Sequence, residues 1–176
     1  LDVDVVLDLM IHDLDIVLAF AGARVEEVRA AGLPILSPKI DIANVRLSFD
    51  NGCVANFTAS RVSTERVRKL RFFQPGQYIS VDYARQDVAV FRVESEADGA
   101  PRISRQLLGG EAAGVAREEP LRAQLRHFLE CIQTRQAPAV GGLEGRRALA
   151  VALDIVAAIQ EHSRRLGLSP SSGGLA

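Results

Sequence analysis

The chain has 176 residues, 48 % of them hydrophobic and 24 % charged, with a formal net charge of -1. That is about one domain's worth of chain, long enough to bury a core, and so balanced a charge gives no electrostatic case for a nucleic-acid or membrane partner. Its two cysteines, Cys53 and Cys131, form no CxxC pair and read as reduced thiols of a cytoplasmic protein.

The first segment, LDVDVVLDLMIHDLDIVLAF, is apolar enough to bury but is broken by Asp4, Asp8, His12, Asp13 and Asp15, so it cannot span a membrane. It lacks the basic start and small-residue cleavage site of a signal peptide. The spacing predicts a helix over 3–20, stopped at Gly22. The chain opens in this helical pattern without a methionine, and the expectation is a fragment whose N-terminal part lies outside it.

The period then changes. ANVRLSFDNGCVANFTAS (43–60) is rich in β-formers and split by Asn51-Gly52, a hairpin signal. KLRFFQPGQYISVDY (69–83) predicts a second hairpin, with Pro75-Gly76 placed as a type II turn wants them. DVAVFRVESE (87–96) continues as a strand, Asp98-Gly99 marks a turn, and 103–118 reads as a short strand followed by a Gly/Ala-rich loop. From Pro120 the helical period returns, with Leu121, Leu125, Phe128, Leu129 and Ile132 on one face. A further helix is predicted over 143–166, with an apolar stripe including Leu149, Leu153, Val156 and Ile159, and 168–176 read as a disordered tail. One domain over 1–167 is expected, of class α+β: a predominantly antiparallel open sheet with helices packed on one face. Val45, Leu47, Phe49, Ala89, Phe91 and Val93 are expected to line its other face and to assemble it into a homo-oligomer.

The carboxylates of the first helix need an explanation, because a buried charge without a partner is expensive. At about 100° per residue, Asp4, Asp8, His12 and Asp15 fall within about 80° of one another. This stripe must face solvent, a partner or a cavity. Asp8 and His12, at i and i+4, are neighbours on a helix, and a carboxylate there can orient an imidazole. A solvated acidic edge explains the same spacing. So does a metal chelate, although no second ligand cluster stands out and no metal is expected. Downstream, Arg61, Arg66, Arg68, Lys69 and Arg71 crowd against a single acid, Glu65. They suit either a diphosphate contact or a charged, soluble edge. Arg61 is singled out as the residue to test. His127 and His162 read as structural or exposed, and nothing places Tyr78, Asp82 or Tyr83.

The pattern D-x-x-x-H-x-x-D at Asp8, His12 and Asp15, just before a β-rich segment, resembles the C-terminal domain of the glucose–fructose oxidoreductase / inositol 2-dehydrogenase (Gfo/Idh/MocA) family. LSFDNGCVANFTASR (47–61) resembles that family's F-x-N-G hairpin, and EPLRAQLRHFLECIQT (119–134) with GLEGRRALAVALDI (142–155) resembles its closing helix pair. Within the family, DLMIHDLDIVLAFAG with ASRVSTERVRKLRFF looks most like the branch that oxidises UDP-N-acetylglucosamine at its 3-hydroxyl.

The resemblance implies the substrate-binding and oligomerisation half of an NAD(P)-dependent sugar dehydrogenase, inactive by itself. His12 would be the catalytic histidine and Asp8 the substrate-orienting acid, with Asp15 structural and Met10 at the pocket wall; Arg61 is expected beside them as a substrate contact on the chemistry of the basic cluster alone. NAD or NADP would sit mainly on a preceding Rossmann domain. No G-x-G-x-x-G follows a strand here, since GGEAAG and GGLEG have the wrong spacing, and the family's E-K-P segment is absent. A stand-alone, non-catalytic binding or assembly module is the alternative.

Overall fold

The two predicted hairpins form, and their turn residues explain where. Pro75-Gly76 closes Lys69–Gln74 (β4) onto Gln77–Asp82 (β5) with Gln74 opposite Gln77, and Gly76 takes the positive φ of 72° that a type II turn places there. Around Asn51-Gly52 the loop is longer, since Ile42–Phe49 (β2) and Val54–Ser60 (β3) pair only as far as Ser48 opposite Val54. Its residues are employed elsewhere: Asn51 Nδ2 donates to Ala21 O at 3.0 Å, and Asp50 accepts from Arg24 N and Nε. The hairpin tip therefore satisfies a carbonyl at the end of Ile11–Ala21 (α1), which stops at Gly22 with φ 58°.

A computed structural model describes residues 2–64, 67–95, 101–108 and 118–167. The tail from 168, the Asp98-Gly99 turn, Glu65, Arg66 and the loop over 109–117 lie outside the described residues. Val25–Leu33 (β1), Asp87–Ser95 (β6), Pro101–Leu107 (β7), Pro120–Thr134 (α2) and Gly142–Arg165 (α3) complete the elements. The strands pair antiparallel, as predicted, but in two sheets, β1-β2-β3 and β4-β5-β6-β7. By its packing the chain divides into two compact units, 1–64 with 139–176, and 65–138. β1 was not predicted at all. Its sequence, VEEVRAAGL, is rich in good helix formers, and pairing with β2 from Gly32↔Ala43 to Val28↔Leu47 overrides that preference.

In the first unit, α3 packs on β1, the Val6–Met10 turn on β3, and α1 on α3. The core joins Val6, Met10, Leu14 and Leu18 to Ala43, Val45, Leu47, Phe49 and Phe57, and to Ala148, Ala152, Ile155 and Ile159 of α3. Each Val, Leu, Ile, Met or Phe side chain among them contributes about 1.5–3 kcal/mol by leaving water. Two expectations are corrected here. Val45, Leu47 and Phe49 face the helices and not a free surface, while Asn44, Arg46, Asn56 and Thr58 hold the outer face. On α3 the buried stripe is set by Ala148, Ala152 and Ile155, leaving Leu149 and Leu153 exposed. Small residues let α3 approach: the space at Gly32 is already filled by Ile40 and Ile159, 2.8 and 3.1 Å from where a Cβ would stand.

In the second unit, Phe73, Tyr78 and Phe91 stack across three strands, with centroids 4.8 and 5.1 Å apart. Val93 and Ile103 sit on the same face, and Phe73, Val93 and Ile103 are exposed. The predicted free apolar face thus exists at Phe91 and Val93, in the second sheet. α2 begins as expected at Pro120, capped by Glu119, which accepts from Leu121 N and Arg122 N. Its apolar stripe, Leu121, Leu125, Phe128, Leu129 and Ile132, is more than half exposed at every position. No helix among the described residues is long and apolar enough to cross a membrane.

Candidate active site

The predicted helix over 3–20 is interrupted at its start. Val6–Met10 forms a π-helical turn, with Ile11 N–H donating to Val6 O, and the α-helix begins only at Ile11. Such turns re-aim side chains and concentrate at functional sites. Asp4 falls outside the helix. Its Oδ1 accepts from Ile40 N at 2.8 Å, and Val5 N donates to Ile40 O at 2.8 Å, so residues 4 and 5 are tied to the segment entering β2. Only Asp8, His12 and Asp15 remain of the four-residue stripe. Asp8 lies in the π-turn and His12 in the first turn of α1, both exposed, with Asp15 half-buried three residues on. Met10, expected at a pocket wall, is 1 % exposed and belongs to the core.

The expected pairing of Asp8 with His12 is replaced by another. Asp8 Oδ2 accepts from Arg61 Nη2 at 3.1 Å, and no hydrogen bond joins Asp8 to His12 among the described residues. Arg61 sits just past β3, with its backbone N–H donating to Asp41 O at 2.9 Å. Its side chain is 9 % exposed against 47 % for Asp8, and its Nη2 also donates to Val3 O at 2.5 Å. The guanidinium is therefore built into the fold, with little of it open to solvent.

Behind it lies Asp41, which the sequence reading missed. It is the only fully buried carboxylate among the described residues. Oδ2 accepts from Ile35 N, Leu36 N and Ser37 N at 2.8, 2.6 and 2.9 Å, Oδ1 accepts from Ser37 Oγ at 3.0 Å, and Arg61 Nη1 lies 3.8 Å from Oδ1. The hydrogen bond from Ile35 N leads the causes that lower its pKa from 3.8 to about 2, outweighing the opposing effect of burial. Only the motif S-P-K-I-D, with a hydroxyl four residues before an acid, hinted at this nest.

A cleft of about 400 Å³ opens beside Asp4, lined also by Pro34, Lys39, Ser163 and Arg164, but takes in neither Asp8 nor His12. No metal-binding cluster occurs among the described residues. His127, read as structural, lies 3.6 Å from Cys131 Sγ through its Nε2 on α2. Asp82 pairs with Lys69 at 3.3 Å, Tyr83 lies under Arg68, and Tyr78 belongs to the aromatic stack, so these three lie in the second sheet's own contacts. Among the described residues nothing fits a dinucleotide. Its diphosphate wants a glycine-rich turn from a strand into a helix N-terminus. All described strand pairs are antiparallel, and no described strand runs directly into a helix.

Residues 3–74 match the GFO/IDH/MocA C-terminal domain. Over 166 residues, 94 % of this chain, the sequence is 36 % identical to the UDP-N-acetylglucosamine 3-dehydrogenase of Acidithiobacillus ferrooxidans, of which it covers 51 %. A solved structure of that dehydrogenase superposes with a TM-score of 0.80 at 34 % identity, over 91 % of this chain and 50 % of that one. An aldose-aldose oxidoreductase from Caulobacter crescentus, solved with glycerol, gives a TM-score of 0.64 at 25 % identity over 86 % of this chain and 44 % of that one. The chain spans about half the length of the relatives it matches.

Proposed function

We propose, from the match of residues 3–74 to the GFO/IDH/MocA C-terminal domain, that the chain is the substrate-binding half of an NAD(P)-dependent oxidoreductase acting on a nucleotide-sugar hydroxyl. The 3-hydroxyl of UDP-N-acetylglucosamine is the specific target. The observation that carries this reading is an exposed Asp8 and His12 at the junction of a π-turn and α1, in a chain 36 % identical along 94 % of its length to a dehydrogenase of that nucleotide sugar. His12 takes the proton of the sugar hydroxyl as the carbinol is oxidised, and Asp8, held by Arg61, orients the sugar. Asp15 supports the helix. NAD or NADP is held by a preceding nucleotide-binding domain, since the described residues here do not fit it. Such an enzyme works in the cytoplasm, where its free cysteines, exposed Cys53 and buried Cys131, stay reduced.

The test is direct. The chain joined to its preceding nucleotide domain is expected to reduce NAD⁺ or NADP⁺ with UDP-N-acetylglucosamine, whereas this chain alone is expected to be inactive and to show no binding of NAD⁺ or NADH by calorimetry. Micromolar dinucleotide binding to the chain alone would place the domain boundary wrongly. A longer protein idle with every nucleotide sugar would leave the non-catalytic assembly module as the better reading.

The same proposal includes self-assembly. The face bearing Phe73, Tyr78, Phe91, Val93 and Ile103, with Phe73, Val93 and Ile103 exposed and Arg105 over the Phe91 ring, is a largely apolar surface of the kind that two-fold contacts cover. Sedimentation velocity at tens of micromolar, suited to a contact with Kd near 1 μM, is expected to show a dimer or larger species, reduced to monomer by Phe73→Glu. A clean monomer in the unaltered chain would count against it.

A further inference from the structure

We infer that Arg61 is a positioning residue, which transmits the buried anchor at Asp41 to the exposed carboxylate of Asp8. This rests on the proposed role of Asp8 in orienting the sugar. Asp41 is fixed by three backbone N–H donors and Ser37 Oγ, and Arg61 is fixed in turn by its backbone N–H on Asp41 O. One fork of its guanidinium faces Asp41 Oδ1 at 3.8 Å, and the other donates to Val3 O and Asp8 Oδ2. The first segment of the chain, otherwise held here by residues 4 and 5 on Ile40, is thereby clamped at residues 3 and 8 as well.

The group is under-satisfied. Arg61 Nε and Nη1 are buried without a hydrogen-bond acceptor, so its charge is compensated mainly by the two carboxylates. Removing either leaves a buried cation short of an anion, and removing Arg61 frees Asp8 to swing into water. The planar fork is what permits one group to face both acids, and a lysine ammonium has no such geometry. A direct contact with a substrate diphosphate would instead require a guanidinium open to solvent, and 9 % exposure gives little of that.

Hydrogen–deuterium exchange on this chain reads the inference without turnover. In Arg61→Met, amides of residues 3–8, whose Val5, Leu7 and Asp8 N–H groups are bonded, are expected to exchange about tenfold faster or more, with α3 unchanged. Arg61→Lys, the milder change, is expected to fall between, and it serves if Arg61→Met folds poorly. In the intact enzyme, Arg61→Met is expected to lower kcat/KM about tenfold, through KM, yet to cost less than about twofold when added to Asp8→Ala. Unchanged exchange over 3–8, or equal losses with and without Asp8, overturns the inference. A loss that persists in Asp8→Ala and disappears for a free sugar makes Arg61 a direct anion contact. Faster exchange in an enzyme with no nucleotide-sugar turnover supports the relay and overturns the dehydrogenase reading.

Discussion

His12→Ala in the intact enzyme is expected to lower kcat by roughly 10²–10⁴-fold, the usual worth of a positioned acid–base group, while KM changes much less. Oxidising a carbinol requires its O–H proton to leave, and a base acts on that proton mainly in the transition state, so its loss falls on kcat. His12 is exposed in the first turn of α1, on a helix whose inward side chains Leu14, Val17 and Leu18 are buried. Truncating it removes no core contact, and circular dichroism should find the fold intact. Asp8→Asn is expected to act differently. Asp8 is bonded to Arg61 and not to His12, so its loss disturbs substrate placement and raises KM. If the stripe were only a solvated edge, both variants would stay within a few-fold of normal turnover. Near-normal kcat in His12→Ala would end its catalytic assignment.

Asp41→Asn is expected to lower the thermal midpoint by about 10 °C, the scale for breaking a buried charged network in a domain of this size. The amide keeps one acceptor oxygen for the N–H groups of Ile35, Leu36 and Ser37, but turns a donor towards Arg61 and loses the anion that faces it. The pH dependence follows from the lowered pKa. The folded carboxyl titrates at about 2 against 3.8 in the unfolded chain. Its stabilisation is therefore fully present above about pH 5 and is lost as pH falls through 3.8 towards 2. Asp50, Asp82 and Glu161 are also lowered, by Arg24, by the Arg85 N–H and Lys69, and by Arg165 and Arg164. Both proteins should weaken in acid, with the Asn variant losing less over that window. Melting curves at pH 6, 4 and 3 measure it, and parallel slopes would show that Asp41 does not carry this share.

Local signals determined much of this protein. Pro75-Gly76 and Asn51-Gly52 placed the hairpins because their backbone preferences act without any partner, and Glu119-Pro120 and Gly22 bounded helices for the same reason. The D-x-x-x-H-x-x-D pattern located Asp8 and His12, since the residues in such a pattern lie within two helical turns. Tertiary structure alone decided the rest. β1 forms because β2 offers it a ladder, against the preference of its Glu, Arg and Ala residues. Val45, Leu47 and Phe49 alternate in a way that specifies two faces but not which one α3 covers. Asp4 stands before the π-turn, with its carboxylate taken up by Ile40 N–H, 36 residues away. Arg61 leaves the surface cluster for the same kind of reason. Its acids, Asp8 and Asp41, are 53 and 20 positions distant, and only the return of β3 beside β2 brings a guanidinium between them. No periodicity encodes so long a separation, because charge compensation depends on distance in space and local patterns register only distance along the chain.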